Sequence, residues 1–378
     1  MNTKEQKIFA PQYGRLLEDF KTGDLYYHLW EVTVDDGMLA MCAASFLDPN
    51  PLYASRRFAR EMGFRDRVVH PMVLMNLALS SSVHDVSEQA IAHLAYINLR
   101  FPNAAFSGDT LSFTSEVLSA RLSESKPDRG VVHVRTTAVN QDNLAVVTFE
   151  RKALIPAGNL ENRAHPGSSE NRVHDDSSAN NDSQIPSADN LVLPPELATE
   201  IKTPSWAGRP LGLFDDFAEG DITLHGNGRT IGASEHMQLT MLTRNSHPLH
   251  FDEIYAHERS FTGTRVVCGP LVFAWIASLA SRDTTANALW DLGYDKGIHP
   301  APVLAGDTLF AASRVLQKRD YNEQAGVVKF HLVGVKKEKP AVLMQAGIDL
   351  FKDKFAQKVF EIEREVLLPK QSALEKSL

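Results

Sequence analysis

The chain has 378 residues, 43% hydrophobic and 23% charged, an ordinary globular composition with length enough for two or three domains. With 39 Lys plus Arg against 47 Asp plus Glu, the net charge of −8 argues against a surface built to neutralise nucleic-acid phosphates. Two cysteines, Cys42 and Cys268, exclude a disulfide framework and point to a reducing, cytoplasmic setting, and the longest apolar run, Pro270 to Ala280, falls far short of the ~20 residues of a membrane span.

In chain order, a polar opening precedes a predicted amphipathic helix over Val34–Phe46. A Pro-containing turn follows, Asp48 to Tyr53, then a short helix over Ala54–Glu61 and a long apolar helix after Val69. Alternating, β-branched stretches at Thr110–Ala120, Gly130–Asn140 and Ala145–Ile155 read as antiparallel strands. From about Ala157 to Asn190 the chain turns to Ser, Asn, Asp and Pro, which bury too little surface to offset the entropy of ordering; residues 157–191 are expected to be a flexible polar linker. Then the order repeats. A helix is expected over Ala233–Thr243, a turn over Asn245–His250 and a short helix over Asp252–Arg259. After Val267 comes a helix apolar nearly all round, hence buried, and then strands over Thr308–Lys318, Gly326–Lys336 and Ala341–Phe351.

The flanks of the linker are copies. LLEDFKTGD at Leu16 matches LFDDFAEGD at Leu213, and DPNPLY at Asp48 matches NSHPLH at Asn245, both 197 residues apart. RVVHPMVL at Arg67 matches RVVCGPLV at Arg265, and SGDTLSF at Ser107 matches AGDTLFA at Ala305, both at 198. A duplicated unit of this size predicts an internal pseudo-dimer, with residues 1–156 as one half and 192–378 as the other. A buried helix followed by antiparallel strands makes each half α+β, with the sheet wrapped around the helix.

These residues carry a resemblance. A central helix in an antiparallel sheet, duplicated in one chain, resembles the tandem double hotdog fold. Asn245-Ser246-His247-Pro248-Leu249-His250 followed by Cys268-Gly269 resembles the signature of MaoC-like (R)-specific enoyl-CoA hydratases. EHMQLTMLTRN from Glu235, HPAPVLAGDTL from His299 and VHDVSEQAIAHLAY from Val83 look more narrowly like the mesaconyl-CoA (2-methylfumaryl-CoA) hydratases, also called β-methylmalyl-CoA dehydratases. The resemblance implies a hydro-lyase acting on an acyl-CoA, with coenzyme A as part of the substrate and no further cofactor, no metal, no nucleic acid and no membrane.

Hydration of an enoyl thioester needs a base to activate water and donors to hold the oxygen on which enolate charge builds. The second half offers His250 as acid/base and the Gly269 N–H, at the positive end of a helix, as oxyanion donor. In the first half Tyr53 and Pro71 stand at these places; an unperturbed Tyr is a poor base and Pro has no N–H, so that copy is expected to be structural. Where the broader family has Asp, this chain has Asn245. Either Asn245 positions water for His250 alone, or a carboxylate among Asp252, Glu253 and Glu235 assists. Asp48 keeps the acid in the first half and is expected to cap the following turn-helix. Arg244 and Arg265 are the candidate clamps for a free substrate carboxylate. Glu235, His236 and Pro270 complete the expected substrate-binding set. His247, His250, Asp252 and His257 do not match a zinc-peptidase spacing. Cys268 reads as a small buried residue rather than a nucleophile. Hydration of another enoyl-CoA such as itaconyl-CoA, a thioesterase and a non-catalytic acyl-CoA-binding protein remain open at this point.

Overall fold

The computed structural model describes residues 12–158, 191–202 and 212–375, so most of the expected linker lies outside the described residues. In the first half, β1 (Leu25–Tyr27) and β2 (Val32–Thr33) precede three helices, α1 (Asp36–Phe46), α2 (Arg56–Glu61) and α3 (Pro71–Val86). Four long strands follow: β3 (Ala92–Arg100), β4 (Thr110–Leu122), β5 (Arg129–Val139) and β6 (Ala145–Pro156). A short α4 (Pro195–Thr199) leads into the second half. There β7 (Ile222–Leu224), β8 (Arg229–Thr230), α5 (Ala233–Leu242), α6 (Glu253–Arg259) and α7 (Gly269–Thr284) repeat the pattern. The half is completed by β9 (Trp290–Ile298), β10 (Thr308–Asp320), β11 (Ala325–Lys336), α8 (Pro340–Gln345), β12 (Lys358–Pro369) and α9 (Gln371–Glu375).

The two halves form one 12-stranded sheet in the order β1-β4-β5-β6-β3-β9-β12-β11-β10-β7, with β2 on β4 and β8 on β10. The order reads the same from either end once copies are equated, so a pseudo-two-fold passes between β3 and β9. That seam is antiparallel, with Leu99 opposite Tyr294 and Arg100 opposite Gly293. Gly293 has φ +149°, and a Cβ there would sit 2.2 Å from the Leu99 carbonyl, so only glycine lets the halves approach. Neither β3 nor β9 was among the expected strands; both are short and interrupted by polar residues, and the duplication, not the alternation, is what marks them.

The sheet wraps the two long helices. Pro71 and Pro270 stand in the first turns of α3 and α7, where a missing N–H costs no helical hydrogen bond. Both helices are buried around most of their circumference and meet in one core shared by the halves, which includes Met72, Leu77, Phe273, Trp275 and Ile276. Some of its polar groups tie the halves together: Asn76 Nδ2 donates to the Pro270 carbonyl at 3.1 Å, and Trp275 Nε1 to Ser45 Oγ at 3.0 Å. Truncating a core side chain of this size to Ala costs about 3–5 kcal/mol.

One expected strand is wrong. Ala341–Phe351 holds α8 and a turn, and the fourth long strand is β12 instead. Pro340 fixes φ and starts a helix there, and Gly347 at φ +87° follows its end. The first half closes the matching hairpin tightly through Asn140 to Asn143, so the second half carries an insertion at this corner.

Candidate active site

The two Pro turns are built alike. Residues 51–53 and 248–250 each form one turn of 3₁₀ helix, entered by a side chain accepting from the backbone: Asn50 Oδ1 from the Leu52 N–H at 3.0 Å, His247 Nδ1 from the Leu249 N–H at 3.2 Å. Each turn is also tied to the other half. Asn50 Nδ2 donates to the Ala288 carbonyl at 2.9 Å, and His247 bonds the Ala90 backbone. Because Nδ1 of His247 accepts, the ring proton sits on Nε2 and both nitrogens are occupied. His247 is thus a structural histidine, and burial holds its pKa down at about 4.

His250 is different. Its Nδ1 lies 2.8 Å from the Val266 carbonyl, an acceptor only, so Nδ1 carries the proton and the lone pair is on Nε2. Nε2 has no partner among the described residues. Burial, reinforced by His247, pulls the pKa to about 3, so the ring is neutral at physiological pH. Asn245 is buried, with Oδ1 accepting the His247 N–H at 3.0 Å and Nδ2 donating to Cys268 Sγ at 3.2 Å. That leaves one N–H and one lone pair of the amide uncommitted. Burial raises the Cys268 thiol to about 12, which fits a packing role and not a nucleophile. Gly269 opens α7, and a Cβ there would lie 3.1 Å from His299 Nε2.

These residues border one cavity of about 130 Å³. Asn245, His247, His250, Cys268, Gly269 and Pro270 supply one wall. The opposite wall comes from the first half: Leu79 and Val83 of α3, His93 and Tyr96 of β3, and Arg151 of β6. The site is therefore composite, a turn from one copy set against the strands of the other. Among its lining residues there is no carboxylate.

The remaining sequence candidates lie elsewhere. Asp252 caps α6 by accepting from the Tyr255 N–H at 3.0 Å. Glu253 is exposed and pairs with Arg265 at 2.6 Å, and Glu235 pairs with Arg229. None of the three lines the cavity, so the carboxylate-assisted alternative lacks a carboxylate in place. Arg265 is held by Glu253 and Met237, and exposed Arg244 stacks its guanidinium 5.6 Å from the Trp30 ring centre; neither clamp candidate reaches the cavity. His236 is buried in α5 without partners for either ring nitrogen and lies outside the lining, though close enough to His250 to depress its protonation. Asp48 is not the cap either: Asn50 caps the 3₁₀ turn and Ser55 caps α2, while Asp48 accepts from Ser281 at 2.8 Å and faces His70 at 3.3 Å. Sequence reading also did not single out Arg151, nor His93 and Tyr96 within the segment from Val83, because their place opposite His250 is set only across the pseudo-two-fold.

The chain matches the sequence profile of the mesaconyl-CoA hydratase family over residues 5–346. It is 30% identical over 324 residues to a mesaconyl-CoA hydratase of Cereibacter sphaeroides, covering 85% of this chain and 90% of that one. It is also 30% identical over 305 residues to a beta-methylmalyl-CoA dehydratase of Chloroflexus aurantiacus, covering 81% and 83%. Among solved structures, a MaoC domain protein dehydratase from Chloroflexus aurantiacus superposes with a TM-score of 0.78 at 27% identity, covering 95% of this chain and 98% of that one. A Mycobacterium tuberculosis protein with a double hotdog fold follows at 0.70 and 22%, over 94% and 98%. The double hotdog architecture expected from the duplication is the fold of these neighbours. No helix among the described residues is long and apolar enough to cross a membrane.

Proposed function

The chain belongs to the mesaconyl-CoA hydratase family and is a hydro-lyase, and from that premise we propose that it hydrates 2-methylfumaryl-CoA reversibly to β-methylmalyl-CoA in the cavity between the halves. His250 is the base. Water held by Asn245 adds through its oxygen to the carbon β to the thioester, and its proton passes to His250 Nε2. The C=C electron pair moves toward the thioester, whose oxygen becomes an enolate and accepts from the Gly269 N–H. The α-carbon then takes the proton back from His250, which restores the neutral ring and balances the addition. Dehydration runs the same steps in reverse.

The observation that carries this reading is the fixed tautomer of His250: a neutral imidazole with Nδ1–H tied to Val266 and a free Nε2 on a cavity bordered by Gly269 and Asn245. A base needs that lone pair, and the backbone supplies the constraint that keeps it available. The first half is expected to be catalytically silent, and residues 157–191 to act as a tether between the halves.

The test is loss of the enoyl absorbance when purified protein meets 2-methylfumaryl-CoA, with crotonyl-CoA beside it. The expected result is faster hydration of the dicarboxylic substrate. Thiol release without hydration would identify a thioesterase instead, and binding without turnover a carrier of acyl-CoA.

A further inference from the structure

Arg151 is a buried cation without a counter-ion. It projects from β6 at 2% exposure and borders the cavity. Nη1 donates to Ser87 Oγ at 3.0 Å and Nη2 to Ser82 Oγ at 2.8 Å, while Nε is buried and has no partner. Among the described residues no carboxylate pairs with it. Burial alone brings its pKa down to about 10, still charged at neutral pH. An unpaired guanidinium is costly to keep out of water, so its presence needs a reason.

The second copy supplies one. Arg151 stands opposite Val134 on β5 and Tyr96 on β3, and Arg364 stands opposite Phe330 on β11 and Tyr294 on β9, the same ladder position. Arg364 is neutralised: Nε donates to Asp291 Oδ1 at 3.2 Å and Nη2 to Oδ2 at 2.7 Å, and the Tyr294 hydroxyl adds a bond to Oδ2 at 2.8 Å. Asp291 lies three residues before Tyr294. Three residues before Tyr96 is His93, a cavity-lining imidazole whose two nitrogens are buried and unpartnered. One copy thus fills the fork of its arginine with its own carboxylate. The other leaves the equivalent Nε open beside a neutral ring and an empty volume.

We infer that Arg151 is the specificity residue for a dicarboxylic acyl group: the substrate's free carboxylate takes, against Arg151, the place Asp291 takes against Arg364. This rests on the hydratase reading above and names the substrate class of the same cavity. The chemistry agrees on position. In 2-methylfumaryl-CoA the free carboxylate is bonded to the carbon that takes up water, so clamp and base must border one cavity. Arg151 and His250 do, and Arg244 and Arg265 do not.

The experiment compares wild type, Arg151→Gln, Arg151→Lys and His93→Asp. The last plants in the first half the carboxylate that Asp291 provides in the second, leaving a buried pair in place of a buried lone charge, so it tests the clamp without emptying the site. Steady-state hydration is measured with 2-methylfumaryl-CoA and crotonyl-CoA, and affinity with succinyl-CoA and butyryl-CoA by calorimetry. Expected is a fall of about 10- to 100-fold in the ratio of kcat/KM for the dicarboxylic over the neutral substrate in Arg151→Gln and His93→Asp, carried mainly by KM, with partial recovery in Arg151→Lys. The preference for succinyl-CoA over butyryl-CoA should disappear in the same two variants. An unchanged ratio and an unchanged binding preference in both folded variants overturn the clamp while the hydratase reading stands. A succinyl-CoA preference lost on Arg151→Gln, in a protein that hydrates neither enoyl-CoA, overturns the hydratase reading and keeps the clamp.

Discussion

The turns at 48–53 and 245–250 share a backbone, a capping scheme and a tie to the other half, yet they face opposite kinds of surroundings. Tyr53 is buried against His70 at a ring separation of 4.6 Å, and burial pushes its hydroxyl pKa well above the ordinary phenol value. His70 Nδ1 accepts the Met72 N–H at 3.0 Å, and Pro71 has no N–H to offer. Beyond them lies the buried Arg364–Asp291 pair, in which the carboxylate neutralises the guanidinium. Across the pseudo-two-fold, His250 has a free lone pair, Gly269 a helix N-terminal N–H, and Arg151 an unpartnered Nε, its two terminal nitrogens held by Ser87 and Ser82. The lesson is that one fold holds a polar pocket in two states. In one the arginine is paired by a carboxylate of the chain itself; in the other a neutral histidine stands at that carboxylate's place, on a cavity. On the proposed reading, stability and chemistry are divided between copies.

The largest expected effect breaks the comparison at its centre. His250→Ala should lower hydration by about 10²- to 10⁴-fold, because a positioned base supplies that much. The matching change, Tyr53→Ala, should lower Tm through the cavity it leaves, with turnover of the folded protein within a few-fold of wild type. Initial rates beside thermal melts decide the matter. Equal rate losses in the two variants would place chemistry in both halves.

The second effect is on stability and has opposite signs. Asp291→Asn leaves Arg364 charged, buried and unpaired, and should destabilise by about 3–5 kcal/mol. Arg151→Met removes a lone buried charge and should hold or raise the midpoint of denaturant unfolding. Chemical denaturation of both variants at constant m measures it. A large loss from Arg151→Met would mean that its two serine contacts stabilise the fold more than its unpaired charge costs.

How far the sequence alone reaches follows the same division. The duplication, the buried helices, His250, Asn245 and Gly269 all lie in contiguous segments whose spacing repeats, so they are legible. The pairs His28–Asp85 at 2.9 Å and His225–Asp283 at 2.8 Å, each closed by a serine on the next strand, repeat as faithfully. They escaped notice because their members lie 57 and 58 residues apart. Arg151 was invisible for a related reason. The alternation Phe149, Arg151, Ala153, Ile155 puts it on the buried face, but its place in the site depends on a β3–β9 seam that joins strands from different halves, which nothing local in AVVTFERKALI marks. Arg244 and Arg265 drew attention only by adjacency to the motif. Proximity along the chain is a poor guide when a site is assembled from two copies.

A smaller effect concerns acid. His250 is held at about 3, and His247 and His299 at about 4, all below the ordinary value near 6.5 and all through burial. The folded protein keeps them neutral, while the unfolded chain takes up protons as pH falls through about 6.5. Their contribution to stability is therefore complete above that pH and is lost progressively as pH drops toward 4. The first turn has Asn50 and Tyr53 at the places of His247 and His250 and adds nothing to this slope, so the first half contributes only through histidines elsewhere, buried His93 foremost. The double variant His247→Asn, His250→Tyr, which copies the first turn into the second, should show a flatter fall in Tm between pH 7.5 and 5. A slope as steep as wild type would assign the acid sensitivity to other groups.

The smallest expected effect is none at all, and it sharpens the comparison most. Tyr53→His with Pro71→Gly gives the first turn the pair proposed as base and oxyanion donor in the second. If a base and an oxyanion donor were sufficient, turnover per chain would rise. Here the opposite wall decides: Asp291 occupies the fork of Arg364, Tyr294 bonds the same carboxylate, and Asp48 accepts from Ser281 where a substrate would need room. No carboxylated acyl group can enter beside Asp291 without like-charge repulsion at close range. The variant should therefore hydrate 2-methylfumaryl-CoA no faster than wild type, and Asp291→His added to it is the change that opens the fork. Measured in a His250→Ala background, where the second turn has lost its proposed base, turnover by the first double variant above that background would show that the turn carries the chemistry without its arginine. Turnover only after Asp291 is replaced would show that the wall facing the turn decides whether a site exists.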